Sequence, residues 1–335
     1  MTDISAKYLG LTLSSPVIAG SSDFTASVKK VVEMASAGAG AVVLKSIFEE
    51  QILMEIDAQR TNNMFNSYSD AENYVAFYTR QHEVRAYLEL IHDAKKETGI
   101  PVIASVHCSS GDSWVSFISE IEKAGADAVE LNVFMLPSNV NDTDDMINSR
   151  YMDIVNSVRK TTGLPIALKV HHYFTGMANF LVRLSEKSQA LVLFNRFFNP
   201  DINIDTLTIG SAGNLSVPSE NGMVQRWIGI LRPHVKGDLA ATTGIHDGAA
   251  VVKNLLAGAD VVQVATALYN SGPETIVSMN LFLKNWMKEH QFKCLNDFKG
   301  SLSQAGNINP EIFERAQFMK YFSSSGIPYP GANRQ

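Results

Sequence analysis

Residues 123–133 read KAGADAVELNV, and near-copies stand at 36–46 (SAGAGAVVLKS) and 256–266 (LAGADVVQVAT). Each closes a helical stretch with Gly-Ala and passes at once into a run rich in Val, Leu and Ala. Glycine tolerates the left-handed backbone that ends a helix. The apolar run after it suits a strand buried on both faces, as parallel sheets require. The repeat is therefore a helix-to-strand junction, and its recurrence predicts alternating helices and parallel strands.

The alternation continues on both sides of the three copies. Strands are predicted at 16–20, 41–46, 101–107, 128–133, 165–170, 190–195, 239–244 and 261–266. Helices are predicted at 25–37, 84–99, 113–124, 147–162, 177–187, from residue 247, and at 273–290. Eight βα units in roughly 300 residues is the count expected of a (β/α)8 TIM barrel. Long inserts follow strand two (47–83) and strand six (196–220), and alternation in INIDTLTI (202–209) predicts a strand pair in the second. A doubly wound sheet has less support, because no GxGxxG follows the first strand. No linker divides the chain, so residues 1–300 read as a single barrel domain and 301–335 as a C-terminal tail.

Composition narrows the function classes. The 335 residues, 45% hydrophobic, suffice for one large core. Net charge is −6, with Lys and Arg scattered, so nucleic acid is not an expected partner. No apolar stretch approaches the ~20 residues of a membrane span. The N-terminal MTDISAKYLGL lacks the basic-then-apolar layout of a leader. Cys108 and Cys294 lie far apart and outside metal-ligand spacing, so the expectation is a reduced, cytoplasmic chain with no metal site.

Active sites of such barrels lie at the C-terminal ends of the strands. There the chain places Ala19, Gly20 and Ser21; Lys45 and Ser46; His107 and Cys108; Glu130 and Asn132; Lys169 and His171; Asn195 and Arg196; Thr243 and Gly244; Ala265 and Thr266. Buried Lys and Asn are costly unless paired. Two lysines on separate strands suggest an anionic or electron-rich ligand, although either alone could equally form an ion pair with Glu130. The backbone at Thr243-Gly244 and Ala265-Thr266 sits where barrels of this kind hold phosphate. Cys108 reads best as filler, and Met135 most simply as an apolar one. His171-His172 lacks a carboxylate partner at metal-ligand spacing.

The order and spacing of SSPVIAGSS, VVLKS, VELN, IALKV, LVLFN, TTGIHDG and VQVATALYNSGP resemble the soluble dihydroorotate dehydrogenases. They are also similar to the flavin domain of dihydropyrimidine dehydrogenases. The resemblance covers about residues 5–300. It implies FMN at the barrel mouth. Ala19, Gly20 and Ser21 would line the flavin, with Lys45 and Ser46 at its ring and ribityl edge. Asn132 would bridge flavin and substrate, and Lys169 would sit where negative charge develops on reduction. Thr243, Gly244, Ala265 and Thr266 would hold the phosphate, and Asn195 would contact the substrate ring. The family pattern after strand four is Asn-x-x-base-x-Asn, with Cys or Ser as base. Here Met135 stands at the base position and Pro137 at the second asparagine. The family's substrate loop is not recognisable in 61–78, and Arg196 replaces a usual serine.

The resemblance thus implies an FMN-dependent oxidoreductase of pyrimidine metabolism, moving hydride between a dihydropyrimidine-type substrate (dihydroorotate/orotate) and flavin N5. Lys45, Asn132, Lys169 and His107 are its candidate catalytic residues, with His107 the replacement base from the barrel and Tyr68 a candidate from the loop. Asn195, Arg196 and Met135 are candidate substrate contacts, Arg196 for a carboxylate. Two alternatives stay open. One is a flavin enzyme for an unrelated unsaturated substrate, with Met135 in an apolar pocket. The other is a non-redox barrel binding a phosphorylated ligand. The resemblance also implies a homodimer. Without CxxC clusters or an NAD fingerprint, electrons from a nicotinamide would need a separate electron-transfer partner.

Overall fold

The computed structural model describes residues 2–52, 71–110, 113–197, 199–306 and 310–314. Eight parallel strands form a closed ring: β1 (Val17–Ala19), β2 (Ala41–Val43), β3 (Val102–Cys108), β4 (Ala128–Val133), β5 (Ile166–Val170), β6 (Ala190–Leu193), β7 (Asp238–Thr242) and β8 (Val261–Val264). Each pairs with the next, and β8 returns to β1 through Val262↔Val17, so no sheet edge remains open. The main helices are α1 (Val28–Ser36), α2 (Ala71–Glu97), α3 (Ile118–Lys123), α4 (Asp144–Arg159), α5 (Met177–Ser185), α6 (Asn221–Leu231), α7 (Gly248–Ala257) and α8 (Glu274–Glu289), with a short helical stretch at Thr266–Ser271 before α8. One correction concerns the first insert, expected to run to residue 83: α2 already begins at Ala71. Much of that insert, with Tyr68, lies outside the described residues.

The repeated junction works as its chemistry demands. Gly38, Gly125 and Gly258 all have positive φ, at 88°, 95° and 119°. In two copies the aspartate after Gly-Ala latches the preceding strand. Asp127 accepts from Val102 N at 2.7 Å and Asp260 from Leu239 N at 2.8 Å. In the first copy Gly40 takes that place, because a Cβ there would lie 1.9 Å from the Ser15 carbonyl oxygen. Helix α4 shows how the outer layer is fixed. Thr143 caps it by accepting from Met146 N, and Asp144 and Asp145 fill its first turn. Ile147, Tyr151, Ile154, Val155 and Val158 then form one buried stripe.

An N-terminal hairpin (Ala6–Tyr8, Leu11–Leu13) turns at Leu9-Gly10, both with positive φ. Leu9 N donates to Asp238, the first residue of β7, so the hairpin covers the end of the barrel opposite the strand C-termini. The pair predicted in the second insert is present as Pro200–Asn203 with Thr208–Ser211, antiparallel and wholly exposed.

Candidate active site

Strand register stacks the polar residues of the barrel in layers. Ser105, Glu130 and Ala167 are partners across β3, β4 and β5, and two residues further on His107, Asn132 and Lys169 form the next row. Parallel strands alternate sides with period two, so both rows face the barrel axis. The lower row is sealed: Ser105, Glu130 and the neighbouring Gln263 of β8 are essentially inaccessible. The upper row is half-buried at the open end. Phe48, just past β2, extends that row beside His107.

Glu130 joins the two layers. Its Oε2 accepts from Gln263 Nε2 at 2.5 Å and its Oε1 lies 3.6 Å from Lys169 Nζ. Lys169 thus sets its ammonium beside a buried carboxylate while lining a cleft. That cleft is also lined by Asn195, Arg196, Ser216, Thr243, Gly244, Gln263, Ala265 and Thr266. Asn195 Nδ2 donates to Asn132 Oδ1, linking β4 to the end of β6.

The far wall is a backbone cradle. Thr243 and Gly244 have φ of 78° and 74°. Thr243 keeps this left-handed shape because its hydroxyl donates to Phe194 O and its carbonyl accepts from Asn221 Nδ2, each at 3.0 Å. Gly244 can carry no side chain, since a Cβ would lie 2.5 Å from Asn221 N. Ser216, from the second insert, ties the cradle together. Its hydroxyl donates to Thr266 Oγ1 at 3.0 Å and accepts from Gly244 N at 3.3 Å. The N-terminus of α7 is already capped by Asp247. On the opposite side Ser21, Ser46 and Ser105 form a hydroxyl chain, with Oγ–Oγ distances of 3.2 and 2.8 Å.

The chain resembles known enzymes along almost its whole length. It is 25% identical over 315 residues to dihydroorotate dehydrogenase B (NAD(+)), catalytic subunit, of Thermoplasma acidophilum, covering 90% of this chain and 99% of that one. The Thermoplasma volcanium counterpart is 24% identical over the same share of this chain and 98% of its own. A putative dihydroorotate dehydrogenase A (fumarate) of Aeropyrum pernix is 26% identical over 65% of this chain and 72% of its own. No family model matches. The chain is a relative of the dihydroorotate dehydrogenases.

Within this dihydroorotate dehydrogenase-like barrel, Lys169, Asn195, Thr243, Gly244, Ala265 and Thr266 line one cleft, and Asn132 lies beside Lys169 and Asn195. The Lys45 ammonium rests on Asp23 at 2.6 Å, with both side chains more than half exposed. Arg196 lines the cleft, but its Nε donates to both Glu220 oxygens at 3.1 and 3.2 Å, and Nη1 to Gly213 O. Met135 is nearly buried. His107 is packed between Phe48 and Phe134, and burial pulls its pKa below the ordinary value against the opposing pull of Glu50 and Glu49. Cys108 is fully buried and its thiol pKa is pushed well up, which is the behaviour of filler. Among the described residues no cluster could hold a metal ion, and no helix is long and apolar enough to cross a membrane.

Three participants escaped the sequence reading. Gln263 had a signal, an amide inside the apolar run VVQV. Ser216 had none, because an insert carries no periodicity. Glu49, 5% exposed, accepts from Ser109 N at 2.8 Å and Ser110 N at 3.1 Å, joining the loops after β2 and β3.

Proposed function

We propose that the chain is an FMN-dependent oxidoreductase acting on a CH–CH bond of a dihydropyrimidine-type ring, in a cytoplasmic setting. The observation that carries this reading is a cleft lined by Lys169, by Asn195, which is bonded to Asn132, and by the Thr243–Gly244 cradle. The residues fit the cofactor on two counts. Gly20 and Gly244 leave backbone bare where a Cβ would meet Val264 O at 3.3 Å and Asn221 N at 2.5 Å. The buried Gln263 Oε1 has no hydrogen-bond partner among the described residues and can accept from a polar ring edge. Ala19, Gly20, Ser21 and Ser46 would flank the ring system, and Thr243, Gly244, Ala265 and Thr266 would hold the phosphate.

Bound there, FMN supplies a hydride acceptor at its N5. The protein's part is positioning and charge. Lys169, set against Glu130 at 3.6 Å, stabilises negative charge developing beside it. Asn132 and Asn195 orient a planar substrate by neutral amide contacts. His107 can take the substrate proton, because its lowered pKa leaves the ring neutral at pH 7. Met135 has no proton-accepting group. The relatives named catalytic subunits point to a separate electron-transfer partner for this chain too.

The test is an absorbance spectrum of the purified protein, before and after incubation with FMN, followed by anaerobic addition of dihydroorotate. Flavin bands are expected, with bleaching by dihydroorotate or by one of its uncharged analogues on the time scale of turnover. Bands that persist through dihydroorotate and its uncharged analogues remove the substrate class. A colourless protein that takes up no FMN removes the cofactor.

A further inference from the structure

Every cation at the barrel mouth named above already has a carboxylate of its own. Lys45 sits on Asp23 at 2.6 Å, Lys169 faces Glu130 at 3.6 Å, and Arg196 holds Glu220 through Nε at 3.1 Å. Glu49 adds a further, nearly buried negative charge in the loop after β2. His107, His171 and His172 offer no compensating charge at neutral pH, since burial lowers the pKa of all three. Among the described residues, a substrate carboxylate entering here would lose water without gaining an unmatched cation, which is the unfavourable half of a buried ion pair.

The surroundings of Asn132 suit something flatter and less polar. Phe48 and His107 have ring centroids 4.6 Å apart, His107 and Phe134 5.1 Å, and Phe134 and Phe197 4.1 Å. These rings run as one wall along the upper row of the barrel. Each is partly accessible, and Met135, next in sequence to Phe134, is nearly buried.

From this pairing of charges and this wall we propose that the substrate is an uncharged planar ring, and that Glu220 enforces the choice by holding Arg196 away from acids. The proposal rests on the flavin reading above and narrows it to members of the substrate class that carry no carboxylate. It differs from a simple apolar pocket in naming the residue that excludes the acid.

Orotate and its carboxamide have the same ring and nearly the same shape and differ by one charge. Each is titrated into the FMN-loaded full-length protein, and binding is read from the perturbation of the flavin absorbance. The carboxamide is expected to bind at least tenfold more tightly than orotate. Glu220→Gln is expected to raise orotate affinity at least tenfold while leaving the carboxamide within twofold. Arg196→Leu in the Glu220→Gln background is expected to abolish the gain. Orotate binding as tightly as the carboxamide in the unaltered protein overturns the proposal, as does a carboxamide that causes no perturbation. Loss of the flavin reading is seen separately, as missing flavin bands before any ligand is added.

Discussion

Glu130 and Lys169 oppose each other on adjacent strands, Oε1 to Nζ at 3.6 Å, with the carboxylate sealed from solvent and the lysine side chain 12% exposed. Gln263 Nε2 donates a hydrogen bond to the other oxygen of that carboxylate. Removing the lysine charge would leave Glu130 buried with one neutral partner. Breaking a buried pair from one side costs about 3–5 kcal/mol. Lys169→Met should therefore destabilise the protein by that order in urea unfolding. The double variant Glu130→Leu/Lys169→Met should recover most of the loss. A single variant as stable as the parent would mean that the pair is not electrostatically coupled.

Gly244 is the position where cradle and fold share a constraint. Its φ of 74° and the 2.5 Å approach of a Cβ to Asn221 N leave no room for alanine. Gly244→Ala is expected to cost roughly 1–3 kcal/mol through backbone strain. It should also weaken FMN retention, read by equilibrium dialysis, more than the melting temperature alone explains. Unchanged FMN affinity in a destabilised variant would place the phosphate elsewhere.

The barrel was legible because its strands are buried on both faces and its junctions repeat a glycine whose backbone only one conformation satisfies. The upper polar row was legible too, since His107, Asn132 and Lys169 stand where apolar strand positions would otherwise be. Pairings between distant segments were not. Nothing in Arg196 announces Glu220, 24 positions away, and nothing in Lys45 announces Asp23. Ser216 was hidden because inserts are shaped by tertiary contacts instead of periodicity. The early start of α2 was hidden because the polar-aromatic stretch SDAENYVAFY imitates a loop.

His171 predicts an acid-side weakness. Its ring stacks on Phe174 at 4.5 Å, accepts from Tyr173 N at 2.9 Å, and is driven by burial to a pKa of about 4, against a smaller upward pull from the Met135 carbonyl. In the unfolded chain it titrates near 6.5. Between those values the unfolded state binds more protons, so stability falls as pH drops from 6.5 towards 4. The lowered pKa corresponds to about 3 kcal/mol across that window. His171→Phe, which preserves the stack, should flatten this part of the curve in denaturation series at pH 7 and pH 4.5. Asp238, whose carboxyl is raised by burial, works in the opposite sense in both proteins and cancels in the comparison. Parallel curves for the two proteins would show that His171 does protonate in the fold.

His107 carries the last prediction, because Met135 leaves the proton without its expected acceptor. The ring is wedged between Phe48 and Phe134, which keeps it partly dry and its pKa below 6.5. A base must be unprotonated to act, so kcat/KM should fall on the acid side of neutrality, with its midpoint below pH 6.5. A positioned base is worth about 10²–10⁴-fold. His107→Ala should lose a factor in that range at pH 7, and the acid limb should vanish with it. His107→Gln, which keeps a polar side chain but no base, should behave like the alanine variant and separate proton transfer from packing. If the acid limb survives both substitutions, the proton goes to another group. His107 would then remain only a ring in the aromatic wall.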